Sequence, residues 1–200
     1  MTRSGPPARR GHLARYSSAV RVIAGTAKGI RLAPVPHGVR PVSDRAREGL
    51  FSSLAEAVPG ARVLDLYAGT GALGIEALSR GAEHGVFVER DREAIGTIAE
   101  NLARTRLSDR AEVVRADAEG FLAAAEGPAF DLVLADPPYD VASDRLEAIL
   151  AGLAPRLARP EWTVALTRRS GSSTPVIPLH WLLTRRLAYG DTLVLIFREA

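Results

Sequence analysis

The sequence has no cysteine and four scattered histidines. The first absence removes disulfides, thiolate nucleophiles and cysteine-ligated zinc at once. His12, His37, His84 and His180 show no ligand-like spacing, so no metal site is expected. No apolar run approaches the length of a membrane span, and the amino terminus lacks a hydrophobic signal core. The expectation is therefore a cytoplasmic protein with no membrane partner. Lysine is nearly absent too, with Lys28 the sole example, so arginine carries the positive charge. A GC-rich coding bias explains that choice, but it does not explain where the arginines cluster.

What is present suits one folded unit. A chain of 200 residues, 46% hydrophobic and 24% charged, is long enough for one full core and one small appendage. The net charge is only +3. Within the first 50 residues, however, Arg3, Arg9, Arg10, Arg15, Arg21, Lys28, Arg31, Arg40, Arg45 and Arg47 face only Asp44 and Glu48. Such an imbalance suits a polyanion, because arginine grips phosphate with a forked pair of donors.

Residues 1–19 are rich in Arg, Gly, Pro and Ser without apolar periodicity, and read as a disordered basic tail. Residues 21–24 and 30–33 flank a glycine-bearing loop and predict a β-hairpin, with Lys28 and Arg31 pointing to solvent. Pro34, Pro36, Gly38 and Pro41 mark an extended connector. A helix capped by Ser43 or Asp44 is expected to run to about Glu56. Strands at 62–67, 85–89, 111–115, 130–135 and 162–167 then alternate with helices at 72–80, 91–104, 118–125 and 143–153. Two further strands, 181–188 and 192–198, meet at the Tyr189-Gly190-Asp191 turn. The expected fold class is α/β: a mostly parallel, seven-stranded, Rossmann-like sheet with helices on both faces and a carboxy-terminal antiparallel hairpin. The division expected is tail 1–19, hairpin and connector 20–42, and main domain 43–200.

Two motifs carry chemistry. Gly69, Gly71 and Gly74 fit G-x-G-x-x-G between a strand and a helix, and Glu89 ends the next strand 20 positions after Gly69. That spacing suits a dinucleotide as well as S-adenosylmethionine. Asp65 discriminates, since a carboxylate just before the turn repels a pyrophosphate but welcomes an ammonium or sulfonium; the plainer alternative is that Asp65 only orders the turn. Glu89 is placed to accept ribose hydroxyls, or is a strand-end surface acid. Asp117 is placed to accept from an adenine amine beside the Ala118 backbone N–H, and it also reads as a helix N-cap.

The second motif is Asp136-Pro137-Pro138-Tyr139, after the apolar run 130–135. An exocyclic amine on a base is a poor nucleophile because its lone pair is delocalised into the ring. A carboxylate and a backbone carbonyl that accept its two hydrogens free that lone pair. Asp136 supplies the carboxylate, proline a carbonyl without a competing N–H, and Tyr139 a ring to stack on the base. Alone, the tetrapeptide also reads as a Pro-Pro turn ending a strand.

Together with Val22-Ile23-Ala24-Gly25, Lys28-Gly29, Arg40-Pro41, Asp44-Arg45, Arg47-Glu48 and Asp65-Leu66-Tyr67-Ala68-Gly69-Thr70-Gly71, these motifs resemble the RsmD-type small-subunit ribosomal RNA guanine-N2 methyltransferases of bacteria. The resemblance runs from Val20 to the end of the chain. It implies a class I methyltransferase fold, S-adenosylmethionine as methyl donor, and a hairpin that helps engage RNA. It further implies a cofactor site of Asp65, Tyr67, Ala68, Gly69, Gly71, Glu89, Arg90, Asp117, Ala118 and Arg45. The target base falls to Asp136, Pro137, Pro138 and Tyr139, and RNA contacts to Lys28, Arg31, Arg40 and Arg47. The implied partner is ribosomal RNA, in the small subunit or an assembly intermediate, bound by a monomer. Val42 and Ser52-Ser53 depart from the family pattern, as do residues 1–19. Other readings stand beside this one: an adenine-N6 methyltransferase, an enzyme acting on protein glutamine, a nicotinamide-dependent oxidoreductase, and an RNA-binding assembly factor without catalysis.

Overall fold

The computed structural model describes residues 20–33, 42–124, 127, 129–158 and 160–200. The expected tail at 1–19 and the proline-marked connector at 34–41, Arg40 included, lie outside the described residues.

The interior is a seven-stranded sheet in the order β3-β2-β1-β4-β5-β7-β6. Its strands are β1 (Arg62–Leu66), β2 (His84–Glu89), β3 (Ala111–Arg115), β4 (Leu132–Ala135), β5 (Thr163–Arg169), β6 (Trp181–Tyr189) and β7 (Thr192–Glu199). The first five run parallel, β7 is antiparallel to β5, and β6 is antiparallel to β7. Strand β4 is wholly buried and β1 nearly so, as central parallel strands covered on both faces must be. The edge strand β6 instead exposes Thr184, Arg185 and Arg186 and carries an irregularity between Leu183 and Arg185, features that discourage edge-to-edge pairing.

Five helices join and cover these strands: α1 (Asp44–Ser53), α2 (Ala72–Ser79), α3 (Arg92–Thr105), α4 (Ala118–Ala123) and α5 (Ser143–Leu153). Their starts follow capping chemistry. Ser43 accepts from the Ala46 N–H at 3.2 Å, Asp91 from Ala94 at 2.9 Å, and Asp117 from Gly120 at 2.8 Å. Helix α3 stops where Arg106 turns left-handed at φ 58°. On one face of the sheet α1, α2, α3 and the amino-terminal segment pack over Val63, Phe87, Leu134, Ala165 and Val194. On the other, α4 and α5 pack over Leu64, Val133, Val164 and Phe197. Trp162 and Trp181 meet there with ring centroids 4.8 Å apart.

Boundaries shift where packing overrides local pattern. Helix α1 ends at Ser53 rather than near Glu56, and β4 starts at Leu132 because Phe130 bridges Leu157 instead. Two short 3-10 turns, Ser108–Arg110 and Ala154–Arg156, were not expected from the pattern. The expected amino-terminal hairpin is reduced to one bridge, Arg21 with Arg31, and three backbone bonds among Val20, Val22, Gly29, Ile30 and Leu32.

That short ladder is instead docked on α2 and α3 by buried side chains. Glu76, fully buried, accepts from the Ile23 N–H at 2.7 Å, the Ala24 N–H at 3.0 Å and the Arg80 guanidinium at 2.7 Å. Ser79 accepts from the Ala27 N–H and donates to the Ala24 carbonyl. Gly25 passes so close that an added Cβ would sit 1.8 Å from the Ser79 carbonyl oxygen, so only glycine fits. Asn101 accepts from the Ala33 N–H at 2.6 Å and donates to the Thr70 carbonyl at 2.9 Å. Among the described residues no helix is long and apolar enough to cross a membrane, and no cluster of His, Asp and Glu could hold a metal ion.

Candidate active site

In a sheet of this order the direction of winding reverses between β1 and β4, and the crevice outside their carboxyl ends is where such folds take ligands. Both motifs arrive there. The glycine turn follows β1 and Asp136 follows β4, with the Asp136 N–H reaching the Leu66 carbonyl at 3.4 Å.

The glycine turn is built by left-handed backbone. Gly69 has φ 57° and Gly71 φ 75°, and Tyr67 takes φ 67° although it is not glycine. A non-glycine residue held in that region costs energy that the surroundings must over-determine, a pattern that concentrates at functional sites. Gly74 is required for another reason. A Cβ there would lie 2.4 Å from the Phe87 ring and 3.0 Å from Asp65 Oδ2.

Asp65 is fully buried behind this turn. Its Oδ2 accepts from the Gly74 N–H at 2.8 Å, so the turn-ordering role is real; its Oδ1 has no partner among the described residues. Burial pushes its carboxyl up to about 8, with the nearby charges of Asp136 and Glu89 adding to the rise and the Gly74 bond opposing it. A cation beside Oδ1 would supply the missing partner and favour the ionised form. The Tyr67 hydroxyl is likewise buried without a partner among the described residues, and burial raises it to about 12. An orphaned carboxylate oxygen and an orphaned hydroxyl fit a polar ligand bearing positive charge.

Glu89 engages the turn directly. Oε2 accepts from the Gly69 N–H at 2.9 Å, and Oε1 from the N–H groups of Arg90 and Asp91 at 2.8 and 2.9 Å. It is thus no idle surface acid; since each carboxylate oxygen accepts twice, one lone pair, on Oε2, remains for a ribose hydroxyl. Asp117 caps α4 through Oδ1 and is exposed, with Ala118 buried behind it. Ala68 is buried, while Arg45 and Arg90 are exposed.

At the end of β4, Asp136 Oδ1 accepts from the Thr167 hydroxyl. No bond to Oδ2 arises among the described residues. Burial raises the Asp136 carboxyl to about 6, against the lowering effect of Thr167. Pro137 is buried and Pro138 exposed. The Pro138 carbonyl is used by the Val141 N–H at 3.1 Å, which leaves the Pro137 carbonyl free among the described residues. Tyr139 is half-buried, and the Arg169 guanidinium carbon lies 5.4 Å from its ring centroid.

The expected RNA contacts divide. Lys28 and Arg31 are exposed, as the pattern predicts. Arg47 is not: it is fully buried, donating at 2.7 Å to the Arg21 carbonyl and at 2.7 Å to Asp44, with Nε and one terminal nitrogen unpaired among the described residues. The correction has a steric cause, because Arg47 falls on the inner stripe of α1 with Ala46, Leu50 and Phe51. Thr167, Glu76 and Asn101 escaped the sequence reading, as each meets its partner across 31 or more positions.

Comparisons with known proteins agree on one neighbourhood. The family described as "Conserved hypothetical protein 95" matches residues 20–198. "Ribosomal RNA small subunit methyltransferase D" of Escherichia coli K12 is 36% identical over 188 residues, covering 92% of each chain. "Putative rRNA methyltransferase YlbH" of Bacillus subtilis is 36% identical over 184 residues, covering 90% of this chain and 99% of that one. Among solved structures, "Putative methyltransferase yhhF from Escherichia coli" superposes with a TM-score of 0.79 at 34% identity, covering 90% and 97% of the two chains.

Proposed function

The chain belongs to the conserved hypothetical protein 95 family, the RsmD-type group, and from that premise we propose that it methylates the exocyclic N2 amine of a guanine in small-subunit ribosomal RNA, with S-adenosylmethionine as donor. The observation that carries the chemistry is the pair of free acceptors at the end of β4. Asp136 Oδ2 and the Pro137 carbonyl can take the two hydrogens of one amine, beside a tyrosine ring and across the crevice from the glycine turn.

S-adenosylmethionine, when bound, supplies a methyl group made electrophilic by its sulfonium. Asp65, Tyr67, Glu89 and the amides around Gly69 and Gly71 would hold it, with Asp117 and Ala118 at its base. Holding is most of the protein's task. Accepting both amine hydrogens fixes the direction of the nitrogen lone pair, and alignment of reacting groups supplies much of the acceleration. Thr167 fixes Asp136 by donating to Oδ1, so that Oδ2 is the oxygen left for substrate. Above about pH 6 Asp136 is ionised and acts as a pure acceptor. It can also receive the surplus proton once the nitrogen has become cationic. No strongly basic side chain is needed.

Guanine as target, rather than adenine, rests on the family likeness; the names of the relatives carry the reading as far as small-subunit ribosomal RNA. Mass spectrometry of ribosomal RNA from cells lacking the protein tests it. One methyl should vanish from a guanine N2 in small-subunit RNA and return with the gene. Unchanged RNA, or a methyl lost from adenine, would overturn the assignment.

A further inference from the structure

Strand β5 ends in Thr167, Arg168 and Arg169, immediately beside the proposed base pocket. Strand alternation puts Thr167 and Arg169 on one face. Thr167 turns towards Asp136, and the Arg169 guanidinium lies over the Tyr139 ring. The same two-residue step therefore touches the carboxylate and the ring that define the pocket.

Arg169 is exposed, and among the described residues it forms no ion pair. Several other arginines are engaged: Arg145 meets Glu119, Arg80 meets Glu76, and Arg186 holds Thr174 and the Ser172 carbonyl. Its backbone, by contrast, is fixed. The Arg169 carbonyl accepts from the Ser172 N–H at 3.1 Å, and the next N–H, of Ser170, donates to the Asp191 carbonyl at 2.7 Å. Gly171 follows at φ 86°, with open space where a side chain would stand. The result is an exposed cation on a hydrogen-bonded backbone, beside a turn of small residues that another backbone can approach closely.

A cation over a partly exposed ring is weakly held. A phosphodiester offers the guanidinium a forked, charge-assisted pair instead. Resting on the RNA-methylation reading above, we propose that Arg169 binds the backbone phosphate next to the methylated nucleotide, exchanging the Tyr139 ring for that phosphate as the base enters. The arrangement assigns Arg169 to RNA binding and to no part of cofactor binding, since the glycine turn lies across the crevice.

Arg169→Ala, Arg169→Lys and Arg169→Glu test this, with small-subunit RNA and small-subunit particles from cells lacking the protein as probes. All three changes are at an exposed site. For Arg169→Ala the KM for the better RNA probe should rise about tenfold, in keeping with the loss of one charge-assisted bond. S-adenosylmethionine affinity should hold, and the plot of log binding constant against log salt should become shallower by about 0.7. Arg169→Lys should recover the salt slope, and Arg169→Glu should weaken RNA binding further than Ala. Wild-type KM and slope in Arg169→Ala would overturn the proposal. So would a fall in kcat alone, which would mean that Arg169 merely steadies the ring. If the wild-type protein methylates neither probe, the guanine reading fails, and filter binding of the same variants across salt still decides the phosphate contact.

Discussion

Asp136 shows how one contact, from the Thr167 hydroxyl, divides a side chain between structure and chemistry. Replacing it with Ala should lower kcat roughly 100- to 1000-fold, the usual loss for one preorganised polar group. Calorimetry should find S-adenosylmethionine binding little changed. The rate of the wild-type enzyme should fall as pH drops through about 6, when Asp136 gains a proton and stops being a pure acceptor. The Thr167 hydroxyl favours the ionised form, so Thr167→Val should move that acidic limb to higher pH in the pH–rate profile. Asp65 has a different pH signature. Its folded-state carboxyl stands at about 8 against an ordinary 3.8, so the folded protein holds a proton that the unfolded chain has released. Its stabilising contribution is complete below about 3.8 and is lost as pH rises through about 8. Asp136 adds the same trend up to about 6. The urea midpoint of the ligand-free protein should accordingly be lower at pH 8 than at pH 5, and Asp65→Asn should shrink the difference. Both motif carboxylates were legible in the sequence. Their elevated pKa values were not, because burial is a property of the packed fold.

Among the elements, the strands and helices were read closely from the sequence. Strand β3 and helix α5 begin and end where the pattern puts them, since Asp109, Arg110, Asp140 and Ser143 punctuate apolar runs clearly. The amino-terminal segment was read less well. A Glu inside a helix normally signals a solvent-facing position, yet Glu76 is buried and serves as the clamp for Ile23 and Ala24. Nothing local in 72–79 announces a partner 53 positions earlier. The same holds for Arg47, whose charge suggested an RNA contact and whose place on the inner stripe of α1 makes it an interior tether. Glu76→Ala should cost about 3 kcal/mol, because it strands two half-buried amides and one guanidinium. Hydrogen exchange at Ile23 and Ala24 should accelerate markedly, while exchange in β4 follows only the global loss of stability. Unaltered exchange at both amides would show that the segment docks without the clamp.

For the whole molecule, ligand binding and folding are linked, since the glycine turn, Glu89 and Asp65 share one bonded unit. At a ligand concentration of 100 times Kd, S-adenosylmethionine should add about 2.7 kcal/mol to stability. A thermal-shift series should show this rise with S-adenosylmethionine and none with NAD. A rise with NAD alone would restore the oxidoreductase reading. The same unit extends to the amino-terminal segment through Asn101, whose amide grips the Thr70 carbonyl with one hand and the Ala33 N–H with the other. This makes the leading segment a poor candidate for transplantation. Grafted onto another methyltransferase without an asparagine at the matching turn of its third helix, it would lose its anchor to the glycine loop. A chimera would have to inherit the two pieces together.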